Sequence, residues 1–199
     1  MTIFDSLFGT TRRAKPKMDA LFALTTALVD LESAGITPLG VGGLCVRVPE
    51  GASFEQSVDE IDAVLELYRR EHGLTLATPA DELGFHWWVL TAQDQSLDDV
   101  VTGLHMVGEE LRQRGYGDAL VACAFPLAEA GHGEFTLIYN YRRGLYYPFA
   151  PLGGRHERDN AREMRLSATL PKSLPGEPEL DRWYALWDAP LTRAPKSAT

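Results

Sequence analysis

The stretch of residues 85–91 restricts the fold more than any other part of the chain, because large side chains occupy both of its sides. Successive side chains of a strand point to opposite faces of a sheet. One side of this stretch would carry Phe85, Trp87 and Val89, and the other His86, Trp88 and Leu90. The sequence therefore predicts a strand whose two sides are both covered by other parts of the protein.

Helical stripes of apolar residues alternate along the chain with clusters of strands. Helices are predicted at 18–33, from Ser53 onward with Gln56 in a capping box, after a cap at Ser96, at 159–170 and at 179–187. Strands are predicted at 38–48, 75–78, 85–91, 119–125, 134–141 and 145–149. This order is typical of the α+β class, with a mainly antiparallel sheet and helices packed on it.

The length of 199 residues favours one principal domain. We expect residues 1–17 to form an amphipathic N-terminal segment and a basic linker. Residues 18–190 are expected to form a single α+β domain. The residues after Pro190, 191–199, are predicted to be a disordered tail.

Charge and hydropathy narrow the compartment and the class of partner. The formal net charge of −9 repels phosphate backbones, so nucleic-acid binding is not expected. No apolar run reaches the ~20 residues that cross a bilayer, so we expect a cytoplasmic protein. Cys45 and Cys123 lie in apolar runs without metal or redox spacing, which indicates buried small side chains rather than a disulfide.

No local motif supports catalysis or a cofactor. The five histidines lack the spacing of zinc sites, and no nucleophile is followed by a base in a known arrangement. The glycine run at 40–43 lies early in a predicted strand, which favours a bulge or close packing over a phosphate-binding loop. We expect no catalytic, metal or cofactor residue, although a site assembled only in three dimensions stays open.

Tyrosine and arginine are concentrated in residues 139–160, the most site-like segment of the chain. These residue types are enriched in interaction hot spots. The candidate protein-contact residues are Tyr141, Arg142, Arg143, Tyr146, Tyr147, Arg158, Asp159 and Asn160. We expect Arg142 and Arg143 to be exposed at a turn, because an unpaired buried guanidinium is costly. The alternative is a solvated hairpin tip followed by a charged loop.

The N-terminal segment combines apolar residues at helical spacing with a basic cluster. The candidate membrane or partner anchor consists of Ile3, Phe4, Leu7, Phe8, Arg12 and Arg13. Such a segment fits an interfacial anchor, with the apolar side in lipid and the basic side chains near anionic headgroups. Packing against the protein's own core, or against a protein partner, explains the same pattern.

Several segments together match the local patterns of one known family. They are residues 1–17, 21–24, 38–45, 139–151, 158–160 and 177–190. They resemble PspAB, the PspA-associated protein of actinobacteria and some archaea. The resemblance implies an accessory protein of a phage-shock-like envelope-stress system, with a PspA-type protein or an HtpX-type membrane peptidase as partner. It brings no established active site.

Two functional hypotheses follow from these observations. The first is a non-enzymatic adaptor that acts through protein contacts, at the inner face of the cell membrane. The second is a small-molecule or nucleotide-binding enzyme whose site forms only in the fold. For the fold itself, a type III secretion chaperone-like sandwich is one candidate arrangement.

Overall fold

The computed structural model describes residues 15–49, 51–79, 84–152, 156–187 and 189–191, with only the backbone of Ala52. Four α-helices lie in this part of the chain: α1 (Ala23–Ser33), α2 (Ala52–Glu71), α3 (Asp98–Gln113) and α4 (Asn160–Thr169). Its strands are β1 (Ile36–Pro38), β2 (Val41–Arg47), β3 (Leu74–Ala77), β4 (Phe85–Ala92), β5 (Leu120–Glu129), β6 (Gly133–Asn140), β7 (Leu145–Phe149), β8 (Pro151–Leu152) and β9 (Glu157–Arg158). Short 3₁₀ turns occur at Asp19–Phe22, Gly117–Ala119 and Leu180–Arg182.

The strands form a seven-stranded antiparallel sheet in the order β3-β4-β2-β5-β6-β7, with β1 also paired to β5. Strands β8 and β9 pair separately as a small ribbon. Strand β2 lies between β4 and β5, so the chain's first long strand is central. The α+β prediction with a mainly antiparallel sheet is confirmed.

Strand β4 contributes large side chains to both faces of the sheet, as its sequence predicts. Trp88 and Leu90 are buried in the apolar cluster under the helices, whereas Trp87 and Val89 are buried in a second cluster on the opposite face. A sheet with two apolar faces is stable only when both are removed from water. The helices cover one face, and the end of the chain covers the other.

Helix α3 lies over the middle of the sheet, against β2 and β4, with α2 beside it. The residue before α3 and one apolar side of the helix are buried: Leu97, Val100, Leu104, Val107 and Leu111. Helix α2 buries Phe54, Ile61 and Leu65, which lie on one side of it. Each helix thus follows the 3.6-residue spacing of its apolar residues.

The opposite face of the sheet is covered by residues 176–187 and 189–191, here called the C-terminal strap. Trp183 and Leu191 are buried in the second cluster, with Leu186 and Trp187 packed against it. The predicted helix at 179–187 is wrong, since only Leu180–Arg182 forms a single 3₁₀ turn. Trp183 leaves helical geometry and its indole N–H donates to the Glu177 carbonyl at 3.0 Å, which directs the ring onto the sheet.

Predicted element boundaries also differ from the structure at the starts of α2 and β2. Gly51 precedes α2 with φ of 125° and no side chain caps the helix, so the capping box of Ser53 is wrong. The Ser53 hydroxyl instead accepts a hydrogen bond from Tyr116 at 3.0 Å. The predicted strand 38–48 is interrupted at Gly40, where φ is 68° and an added Cβ would lie 2.5 Å from the Gln95 Cα.

Gly42 places β2 directly beneath α3. A Cβ at this position would lie 2.7 Å from Val100 and 2.8 Å from the Phe125 ring. We expect Gly42→Ala to lower the free energy of unfolding by about 1–3 kcal/mol, because both neighbours are buried and must move. Gly176→Ala is the matched control, since nothing lies within 4 Å of its added Cβ. Equal urea-unfolding midpoints for the two variants would show that α3 and β2 do not pack closely at Gly42.

Cys45 and Cys123 are free and buried, which confirms their prediction as small apolar side chains. The Cys123 sulfur lies 3.3 Å from the Tyr141 hydroxyl, and burial raises the pKa of its thiol to about 12. Because the thiolate is the reactive form, we expect neither cysteine to react with Ellman's reagent at pH 8 in the folded protein. Both should react fully in denaturant. Rapid labelling of the native protein would show that the core opens locally.

Candidate protein-contact surface

The N-terminal anchor residues Ile3, Phe4, Leu7, Phe8, Arg12 and Arg13 lie outside the described residues. The chain becomes described at Lys15 and is fastened to the sheet shortly afterwards. The Lys17 amide donates to the Tyr141 carbonyl at 2.9 Å, and the Tyr139 hydroxyl donates to the Lys17 carbonyl. The Tyr146 hydroxyl donates to the Leu21 carbonyl at 2.5 Å. The first described residues are therefore fixed beside β6 and β7.

The three tyrosines predicted at the contact surface are buried. Tyr141 and Tyr146 are fully buried in the helix-side cluster, and Tyr147 lies in the cluster on the strap side. Desolvation raises the pKa of Tyr141 well above its usual value, so the hydroxyl stays protonated as a donor. The Tyr147 hydroxyl donates to the Tyr184 carbonyl of the strap at 3.0 Å. The three tyrosine rings therefore pack in the interior, below the exposed residues of this region.

Arg143 reaches across to the C-terminal strap rather than into solvent. Its Nε and Nη2 lie 2.7 and 2.9 Å from the Glu177 carboxylate oxygens, and Nη2 also lies 2.8 Å from Glu179. The Glu177 side chain is only 2% exposed, against 35% for Arg143. Arg143 is therefore half-buried rather than exposed as expected, because a buried carboxylate on a distant segment requires its charge. Arg142 is half-buried at the same turn.

Arg158 forms a second attachment of the strap. Its guanidinium contacts Glu163 at 2.8–3.0 Å and donates from Nη1 to the Trp183 carbonyl at 2.6 Å. The Glu163 carboxylate, also 2% exposed, accepts a further bond from the Ala150 amide at 2.8 Å. A buried carboxylate with this many partners is fully compensated. Arg158 therefore joins β9, α4 and the strap.

Asp159 and Asn160 form the start of α4. The Asp159 carboxylate accepts a hydrogen bond from the Arg162 amide at 2.9 Å and caps the helix. Asn160 is exposed as the first helical residue. Asp159 is half-buried and has a structural use as the cap of α4.

A groove of about 320 Å³ lies between α4 and the strap, and is here called the α4–strap groove. It is lined by Arg158, Asn160, Glu163, Met164, Leu180 and Trp183. Met164 and Leu180 are 57% and 53% exposed on its two sides. The structure therefore brings Arg158 and Asn160 together with Met164 and Leu180, two apolar residues that were not among the predicted contact residues. Met164 could have indicated this groove from the sequence, because it is an apolar residue on the outer side of a mostly polar helix.

A second, wider groove of about 1020 Å³ lies beside the point where the described chain begins. His105 lies in it, with its Nε2 at 3.7 Å from the Asp19 carboxylate. The Arg112 guanidinium, also in this groove, bonds both oxygens of Glu109 and lowers the pKa of that carboxyl to about 2. Within the described residues, no group of three or more His, Cys, Asp and Glu side chains could hold a metal ion.

The comparison with protein families decides the membership of the chain. The family model PspAB, described as PspA associated protein B, matches residues 1–191. The chain belongs to the PspAB family. This confirms the resemblance noted in the sequence, and the match covers the N-terminal segment, the sheet and the strap.

Membership of PspAB supports an association with a PspA system and suggests an accessory protein. No curated protein and no solved structure matches the chain significantly. In the described part of the chain, no helix has the length and apolar character that a bilayer crossing requires.

Replacement of Arg143 tests whether it holds the strap. We expect Arg143→Ala to lower the free energy of unfolding by about 1–3 kcal/mol, because Glu177 stays buried without a counter-charge. Adding Glu177→Gln should recover part of this loss, as a double-mutant cycle in urea would measure. Arg70→Ala is the control, since Arg70 pairs with Glu66 but is 69% exposed, and its loss should not be measurable. Equal effects of the two replacements would mean that Arg143 is a surface residue.

Proposed function

We propose that the chain is a non-enzymatic adaptor of a PspA-type envelope-stress response, and that it binds its protein partner at the α4–strap groove. The observation that carries this proposal is the exposure of Met164 and Leu180 on the two sides of one groove. Large apolar side chains that face each other across a concave surface are typical of protein-binding sites. Methionine adapts its shape to a partner and suits such a surface.

The polar residues of the groove support this use because they are already held in place. Glu163 and Arg158 bond each other and the backbone on both sides, so little freedom is lost when a partner arrives. Asn160 supplies an exposed amide at the rim. An apolar centre with a fixed polar rim is the usual composition of a specific interface.

A PspA-related protein is the partner that the family membership favours. An HtpX-type membrane peptidase is the second candidate. The N-terminal anchor residues would place the adaptor at the inner face of the cell membrane, where such partners act. The acidic net charge disfavours nucleic acid as a partner. No cofactor enters the proposal.

The alternative is a small-molecule or nucleotide-binding enzyme that uses the wider groove. It is favoured by the convergence of Asp19, His105 and Arg112 there. Arg112 is held by Glu109 on the same helix, which reduces its availability for an anionic ligand. Calorimetric titration with nucleotides distinguishes the two functions, since the adaptor is expected to give no heat of binding.

The pair of replacements Met164→Ser and Leu180→Ser tests the adaptor. We expect the affinity for the purified PspA-type protein of the same organism to fall about tenfold or more, because the apolar centre of the interface is lost. The melting temperature should stay the same, since both side chains are exposed. Val29→Ser is the control: Val29 is 72% exposed on α1, away from the groove, and its variant should bind normally.

Unchanged binding of the double variant, measured beside the Val29 variant, would exclude the α4–strap groove as the contact surface. A wild-type chain that does not bind the PspA-type protein, but binds a nucleotide, would support the enzyme instead.

A further inference from the structure

The acidic residues of the chain are concentrated on one layer of the fold. Of the 28 acidic and 19 basic residues, α1, α2 and α3 carry 12 and 3, which leaves 16 and 16 for the rest of the chain. The formal net charge of −9 is therefore the charge of three helices. None of these acidic side chains is buried. The helical layer consequently presents an acidic surface, and the remainder of the protein is balanced.

Helix α2 carries two large apolar side chains on its outer side within this acidic layer. Leu67 is 71% exposed and Val64 is 43% exposed, and they lie three residues apart, on adjacent turns of one side of the helix. Val64 also borders a narrow crevice between α2 and α3, together with Met106. The inner side of α2 already buries Ile61 and Leu65, so packing against the core does not explain Val64 and Leu67.

Some of the acidic side chains around Val64 and Leu67 form ion pairs within the protein. Glu60 and Glu110 share Arg114, and Glu66 contacts both Arg69 and Arg70. Asp59 and Glu71 form no ion pair among the described residues. They lie one turn or more beyond the two ends of the Val64–Leu67 pair, so these two apolar residues are flanked by carboxylates that no described residue pairs with.

We infer that the outer face of α2, consisting of Asp59, Glu60, Ala63, Val64, Leu67 and Glu71, binds a basic amphipathic helix of a protein partner. Apolar residues of that helix cover Val64 and Leu67, and its lysines and arginines face Asp59 and Glu71. This surface is distinct from the α4–strap groove, and the inference does not depend on the proposed function.

The chemistry of the face selects this occupant over others. An anionic membrane and a nucleic acid are both repelled by the helical layer. A second copy of the chain would bring one acidic α2 against another. Helix α2 offers ridges and a shallow crevice beside α3 but no strand edge, which favours a helix over an extended peptide.

A synthetic Leu/Lys peptide of about 18 residues, long enough to form a helix when bound, is the probe. Fluorescence anisotropy at about 0.15 M salt should detect binding of this peptide to the wild-type chain, and no binding of the matching Leu/Glu peptide. The Val64→Ser/Leu67→Ser variant should bind about tenfold more weakly. Amide shifts in the NMR spectrum should map to α2.

Two further variants separate this surface from general attraction to an acidic protein. Val29→Ser, which removes an exposed apolar residue from another helix of the same layer, should leave the affinity unchanged. Asp59→Lys/Glu71→Lys should abolish binding while the circular dichroism stays native. Equal affinity of the Val64→Ser/Leu67→Ser variant and the wild type would overturn the inference, since attraction would then be by charge alone. Sedimentation as a dimer that depends on Leu67 would also overturn it, in favour of a second copy.

Discussion

The cover over the second face of the sheet is the constraint on which the rest of the structure depends. Trp87, Val89, Ile138 and Phe149 face away from the helices and would meet water if the sheet ended there. The strap removes them from water with Trp183, Trp187 and Leu191, although it has almost no regular secondary structure. Beyond the backbone bonds of Tyr146 at its start, this segment is held mainly by side chains. Arg143 pairs with Glu177 of the strap, and Arg158, which Glu163 holds in place, donates to the Trp183 carbonyl of the strap.

These ion pairs give Arg143 and Arg158 a structural use within the tyrosine-rich residues 139–160. A buried carboxylate is costly unless it is paired and fully hydrogen-bonded, and a hydrophobic replacement is often as stable. What the pairs add is position, because a forked guanidinium accepts only a narrow range of geometries. The strap can therefore lie on the sheet in one register, and the α4–strap groove keeps one shape.

The elements with strong periodicity were predictable from the sequence. The stripes of α1 and α3 and the two-sided strand β4 appear where the apolar spacing places them. The start of α2 was not predictable in this way. Ser53 and Gln56 match the capping-box pattern, but the turn before the helix is made by Gly51. A local motif states what a residue can bond, and tertiary contacts such as that of Tyr116 with Ser53 decide what it does bond.

The candidate contact residues were also only partly predictable from the sequence. Residues 139–160 were recognisable as unusual from their tyrosines and arginines, but no sequence pattern reveals that Glu177, more than thirty residues later, is the partner of Arg143. Enrichment in these residue types is common to interfaces between chains and interfaces within one chain. Met164 and Leu180 became a pair only through the course of the strap, since they lie on different elements.

The position of the strap in the chain has a consequence for biosynthesis. The strap follows every strand that it covers, so the strands are synthesised before their outer cover. Until residues 176–191 emerge, Tyr146 also lacks the backbone partners at Pro175 and Glu177 that close the edge of β7. An uncovered apolar face beside an open strand edge is the usual starting point of aggregation. The apolar face that the strap covers in the folded protein thus stays open in the nascent chain until the strap has emerged.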